Sequence, residues 1–267
     1  MSAPALASRG LWPGLVLAPA ARIRLWTALA ALIAWELLAW SGLLYRDVVP
    51  PLEQVLLALA ALVADPDLYP NMLATGYEVL VGFAIAAIAG IAGGLGLGAS
   101  RLLHRAAEPY MDALASAPKI VFLPIAMLFF GLGMESKIAL GALSGLFPIL
   151  LNTMAGVRAL PAIYGRVGRS LHLSAPQAAL KIYIPALRRP IVTGLRLGLG
   201  VCVVGILLAE IKLSKIGLGH LAADAYSHFR VAELYAVLIL IFVLASLANL
   251  SLTLLLRRKR GRPGALL

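Results

Sequence analysis

Charge and cysteine are both scarce in this chain. Only 13% of its 267 residues are charged, against about a quarter in an average soluble domain, while 61% are hydrophobic and the mean hydropathy is +0.93. That balance excludes an ordinary soluble fold. The one cysteine, Cys202, lies inside an apolar run, so no intrachain disulfide is possible and the redox compartment cannot be read from it. No GxxxxGK[ST] loop occurs, which removes the phosphate-loop reading. No alternating strand pattern competes with the apolar stretches of about 20 residues, so helices rather than a barrel are expected to cross the bilayer. Acidic residues are few as well: 12 against 23 Lys and Arg, a net charge of +11. The basic excess flanks apolar spans instead of gathering with aromatics on a soluble domain, which points to topology and contact with membrane lipid, with no nucleic acid partner.

What is present divides into about six spans. Residues 1–24 imitate a signal peptide through Arg9, the apolar run 11–17 and Ala18-Pro19-Ala20. Pro13 and Gly14 spoil the helix, so this segment reads as a retained cytoplasmic tail. Residues 25–66 form the first span and an interfacial segment. The first span, 25–44, opens after Arg22 and Arg24 and holds Trp26, Trp35 and Trp40. Its eight Leu and Ile favour insertion by roughly −2.4 to −4.8 kcal/mol, which Glu36 at about +3 nearly cancels. Glu36 therefore faces other helices or water, and no second buried acid or histidine is apparent to pass it a proton. Val55, Leu56, Leu59, Leu62 and Val63 make the interfacial helix, closed by the turn Asp65-Pro66-Asp67.

Residues 67–256 are the main transmembrane domain. In the second span, 73–98, Gly82, Ala86, Gly90, Gly94 and Gly98 recur every four residues and place one small-residue face against a neighbour. Arg101, His104, Arg105, Glu108 and Asp112 read as a solvated connector. Pro118 and Pro124 frame the third span, which ends near Gly131-Leu132-Gly133. The fourth is 136–156, with a kink expected at Pro148. The fifth, 191–210, again offers close packing at Gly194 and Gly198. Within 211–230, Gly217-Leu218-Gly219 makes a turn, and His220, Asp224 and His228 fall at helical spacing on what reads as a solvated face rather than a metal site. The sixth span, 231–256, ends at Arg257-Arg258-Lys259-Arg260, and 257–267 is a basic tail.

Between spans four and five the chain turns polar. Residues 157–196 hold Arg158, Arg166, Arg169, Lys181, Arg188, Arg189 and Arg196 and are broken by Pro161, Pro176, Pro185 and Pro190. A short helix ending near Leu171 is expected to meet a second at a bend around His172 and Leu173. Ser174 and Gln177 have the spacing of a capping box for that second helix. With the N-terminus inside, eighteen of the 23 basic residues fall on the inner side and five (Arg46, Lys137, Lys212, Lys215, Arg230) on the outer. Both termini and the central stretch are thus expected in the cytoplasm.

The chain resembles the inner-membrane permeases of binding-protein-dependent ABC importers, in the branch of nitrate, sulfonate and taurine systems. The resemblance rests on Ser136-Lys137-Ile138, Phe147-Pro148-Ile149-Leu150-Leu151-Asn152-Thr153, Gly156-Val157, Ile182-Tyr183-Ile184-Pro185, Thr193-Gly194-Leu195-Arg196-Leu197-Gly198, Ala209-Glu210 and Gly217-Leu218-Gly219. It implies an all-α membrane protein with a type I ABC importer permease-like bundle. It implies a second permease copy or paralogue, a substrate-binding protein, and a separate ATPase subunit that binds ATP and Mg, leaving this chain no cofactor and no enzymatic site. It also implies that 157–190 is the loop that couples to the ATPase. The family pattern there is EAA, three residues, Gly, nine residues, Ile, one residue, Leu-Pro. Here Arg166, Val167 and Gly168 stand at the EAA positions and His172 at the glycine. Arg166, Arg169 and Ser170 become contact residues, and His172, Ser174 and Gln177 shape the bend. An ion-coupled secondary transporter is the alternative; it would use buried ionisable groups, for which Glu36 is the one clear candidate.

Overall fold

The computed structural model describes residues 19–43 and 48–258. The signal-like run 11–17, Arg9, Arg46 and residues 259–267 of the basic tail lie outside them. The chain divides into two compact units, Met1–Gln54 and Val55–Leu267.

In the first unit, α1 (Pro19–Trp40) is a helix of apolar composition long enough to cross a membrane. Glu36 lies at its last full turn, where its Oε1 accepts the indole N–H of Trp40 at 2.7 Å and its Oε2 accepts the backbone N–H of Leu52 at 3.1 Å. Leu52 is the first residue of α2 (Leu52–Ala64), so the carboxylate satisfies one of the orphan N–H groups at that helix start. Trp35 donates to the Pro50 carbonyl at 3.1 Å and holds the same turn. Glu36 is thus a local cap for α2.

The second unit is organised around α6 (Met134–Ala159), which lies between α3 (Leu68–Ala99) and α10 (Arg188–Leu213). Close approach explains the arrangement. A Cβ at Gly90, Gly94 or Gly98 of α3 would stand 2.6–2.8 Å from Ile149, Thr153 or Val157 of α6, and one at Gly82 would be 3.2 Å from the Ile138 carbonyl. On the other flank, a Cβ at Gly194 would be 3.0 Å from Asn152 and one at Gly198 2.5 Å from Ile149. Helices separated only by such small residues gain dispersion contacts that lipid cannot better. Polar side chains inside α6 are satisfied by the preceding turn: Ser144 donates to Leu140, Asn152 to Pro148 and Thr153 to Ile149, at 2.7–2.8 Å. Pro148 is accommodated within one continuous helix.

The third span, framed by Pro118 and Pro124 and ending near Gly131-Leu132-Gly133, is short and bent away from the helix before it. The connector residues form an exposed helix, α4 (Arg101–Ser116), followed after a 93° bend by a 3-10 turn (Lys119–Phe122) and α5 (Leu123–Phe130). Lys119–Phe130 reaches only about 18 Å, too short for 30 Å of hydrocarbon. Pro118 enforces the break because the residue before it, Ala117, is driven into extended backbone (φ −61°, ψ 138°). Lys119 then donates to the carbonyls of Ala115 and Ala117 at 2.8 and 2.7 Å, covering the end of α4. Among the described residues, five helices are long and apolar enough to cross a membrane, or six if the bent pair is one span.

Beyond α6 come α7 (Ile163–Ser170), α8 (Ala175–Ala178), a π turn (Ala179–Tyr183), α9 (Ile184–Ala186) and then α10. α11 (Leu218–Ser227) and the peripheral α12 (Val231–Arg258) complete the unit.

Candidate functional site

Two assemblies occupy opposite ends of the α3–α6–α10 core. At one end, α7 folds back against the segment that leads into α10. Its contact face is made by Gly165 and Gly168: a Cβ at Gly168 would lie 3.5 Å from Ile182, and one at Gly165 3.5 Å from the Tyr183 hydroxyl. Arg166, Val167, Arg169 and Ser170 are exposed. Ser170 donates to the Arg166 carbonyl at 3.0 Å.

The bend is a Schellman motif. The Leu173 N–H reaches the Gly168 carbonyl at 3.1 Å and the His172 N–H reaches that of Arg169 at 3.0 Å, with His172 at φ +50°. This position normally takes glycine, because a side chain in the left-handed region costs about 1–2 kcal/mol. His172 adopts it nonetheless, and its Nδ1 lies 3.3 Å from the Ser170 carbonyl oxygen. The next helix starts with the side chain of Gln177 accepting the Ser174 N–H at 3.0 Å, half of a capping box. Arg166, Gly168, Arg169, Ser170, His172, Ser174 and Gln177 therefore belong to one hairpin. Behind it lies a cavity of about 400 Å³ reached by Leu95, Val157 and Tyr183 from the core.

The other end holds a buried polar cluster that corrects the reading of Glu36 as the one ionisable candidate. Glu78 of α3, Lys137 of α6 and Glu210 of α10 are all buried, and Lys137 pairs with Glu78. Lys137, counted on the outer side, is enclosed at 2% exposure, with Nζ 3.0 Å from the Ser214 hydroxyl oxygen. Opposite charges taken out of water need each other, and that demand draws α3 and α6 together. Glu210 accepts the Thr75 hydroxyl at 2.6 Å and the Gly219 N–H at 2.7 Å. Thr75 Oγ1 in turn accepts the Leu218 N–H at 2.8 Å, and Asn71 Oδ1 accepts the Gly217 N–H at 2.7 Å. All three backbone donors of Gly217-Leu218-Gly219 are consumed by α3 and α10. Of the three, only Glu78 stands as a charge inside an apolar run in the sequence, and only their pairing in space gives it meaning.

His220, Asp224 and His228 do not converge on a common centre. Asp224 pairs with Arg230 and with His228, whose Nδ1 is 3.3 Å away. Among the described residues no group of three His, Cys, Asp or Glu is placed to hold a metal.

Residues 82–261 match the family of binding-protein-dependent transport system inner membrane components. The chain belongs to this family. It is similar to an aliphatic sulfonates transport permease of Bacillus subtilis, at 29% identity over 86% of this chain and 83% of that one. It is also similar to a nitrate import permease of Synechocystis (32%, covering 69% and 67%) and a taurine transport permease of Escherichia coli (28%, 87% and 86%). This permease is a multi-pass membrane component of an ABC importer, a transport subunit that works with an ATPase and a substrate-binding protein. Family membership sets the ion-coupled secondary transporter aside, and the buried charges hold helices together. Of the stretches on which the resemblance rested, Ser136-Lys137-Ile138, Ala209-Glu210 and Gly217-Leu218-Gly219 meet at the polar cluster.

Proposed function

We propose that the α7–α9 hairpin is the element through which the ATPase moves this permease, and that the solute carried is a small organic or inorganic anion. The observation that carries the coupling role is the pairing of exposed residues (Arg166, Val167, Arg169, Ser170) with a glycine face locked to the chain entering α10. A pull on α7 is transmitted through Ile182 and Tyr183 to α10, and through the cavity wall at Leu95 and Val157 to α3 and α6. The substrate class is supported by the sulfonate, nitrate and taurine relatives. ATP and Mg are bound by the partner ATPase.

The permease works as a pair, either two copies or this chain with a paralogue, rocking between inward and outward openings. Its termini and hairpin face the cytoplasm, as the distribution of basic residues favours. The glycine contacts of Gly82, Gly90, Gly94, Gly98, Gly194 and Gly198 make α3, α6 and α10 the rigid body that rocks. Recovery of the cognate ATPase with Arg166→Glu and Ser170→Trp permease tests the coupling role. Loss of the ATPase from the complex is expected, and undiminished recovery excludes docking on this face.

A further inference from the structure

One charged side chain lies between the two assemblies, at the level of the middle of the bundle. Lys119 stands at the break between α4 and α5, with Nζ 5.2 Å from the centre of the Phe147 ring. Phe147 is the fourteenth of the 26 residues of α6, about 20 Å from the start of that helix and nearly as far from its end. Four residues after Lys119, Leu123 packs with Leu140 of α6 and Ala209 of α10, so the break itself is seated against the core. Two of the three ammonium N–H donors are used on the carbonyls of Ala115 and Ala117. Both partners are neutral. Among the described residues no carboxylate lies within salt-bridge distance of Lys119, and Glu108, two turns back along α4, pairs with His104 instead.

We propose that Lys119 is the anion-binding residue of the passage, the point inside the membrane at which the negative charge of the solute is met. With the solute read as an anion, the third N–H of Lys119 is the donor that an oxyanion needs. Lipid on this side would leave the charge stranded. The lysine stem is too short to reach either headgroup layer, about 15 Å from the middle of the hydrocarbon. Lys119 is only half-buried and its neighbours Ser116, Pro118 and Val121 are exposed, so the open side of the break meets water in the assembled importer. Ionisable groups at this depth mark solute pathways, and broken helices supply the polar groups that line them. The two carbonyls on Nζ also moderate its charge. Binding is then strong enough to admit an anion and weak enough to release it.

The test places a cysteine at Ser116, the exposed residue between the two carbonyls that hold Lys119, in a C202A permease. The full chain, with the subunits that co-purify, is embedded in lipid discs so that both faces meet water. S116C is then labelled with two impermeant methanethiosulfonates, one carrying a sulfonate and the other a trimethylammonium group. Each rate is divided by the rate of the same reagent with a free thiol in solution. The sulfonate is expected to react about tenfold faster than the cation on this scale. K119Q is expected to bring the two within about twofold, and K119R to keep the preference. A ratio unchanged by K119Q overturns the site. Failure of both reagents to reach S116C, with and without ATP, also overturns it and is the outcome for a lysine facing lipid or serving only to cap α4. Should K119Q not fold, the protein with Lys119 intact decides alone: a sulfonate no faster than the cation overturns the site. The two readings fail separately, since an uncharged ligand on the binding protein removes the anionic solute without touching the labelling ratio.

Discussion

Glu210 and Gly219 are matched by contact as well as by hydrogen bond. The carboxylate accepts the Gly219 N–H at 2.7 Å, and a Cβ added to Gly219 would stand 2.7 Å from the Glu210 Cβ and from the Leu207 carbonyl. A side chain at Gly219 and the buried hydrogen bond to Glu210 exclude one another. G219A is therefore expected to cost about 1–3 kcal/mol by overpacking, read as a lowered unfolding midpoint in detergent. An unchanged midpoint would show that α11 is free to move away from α10.

Lys137 and Glu78 form the buried ion pair of the same cluster. K137M leaves an uncompensated carboxylate and is expected to destabilise the permease by about 3–5 kcal/mol, whereas the double variant E78Q/K137M recovers most of that loss. A double-mutant cycle on unfolding midpoints measures the coupling. Additive losses would mean that the two side chains do not depend on each other.

Glycines in the helices divide by surroundings. A Cβ at Gly94 would be 2.6 Å from Thr153, while one at Gly200 meets nothing within 4 Å. G94A is expected to lower stability and transport together, and G200A to be neutral or to stabilise by up to about 1 kcal/mol through helix propensity. Equal effects in thermal unfolding would place the α3–α6 contact elsewhere.

His172 holds a left-handed turn that glycine adopts without strain. H172G is expected to preserve ATPase recovery and H172V, β-branched at positive φ, to reduce it several-fold. Equal recovery of both would show that the turn does not set the docking geometry.

Spans, small-residue faces and the hairpin were legible because each is a local pattern: apolar length, four-residue spacing, proline and capping punctuation. Gln177 reaches the Ser174 N–H as its spacing implied. The bend of the third span was not legible because two prolines and a glycine pair frame an apolar run equally well whether it is straight or bent. Only the 93° turn at Ala117 and Pro118 separates α4 from the short helix after it. The polar cluster escaped because its members lie far apart in the chain, in separate apolar runs. Glu78 looks anomalous in isolation, and Lys137 and Glu210 look like ordinary span ends. Their placement depends on helix register across the α3–α6–α10 contacts, which no single stretch specifies.

The most direct measurement is the accessibility of the hairpin to a membrane-impermeant thiol reagent, using S170C with Cys202 replaced by alanine. In intact cells S170C is expected to stay unmodified. In inverted membrane vesicles it is expected to react once the ATPase is stripped away and to be protected when the ATPase is restored. Ready modification from outside intact cells, or reaction in vesicles at the same rate with and without the ATPase, would contradict a cytoplasmic hairpin gripped by that subunit.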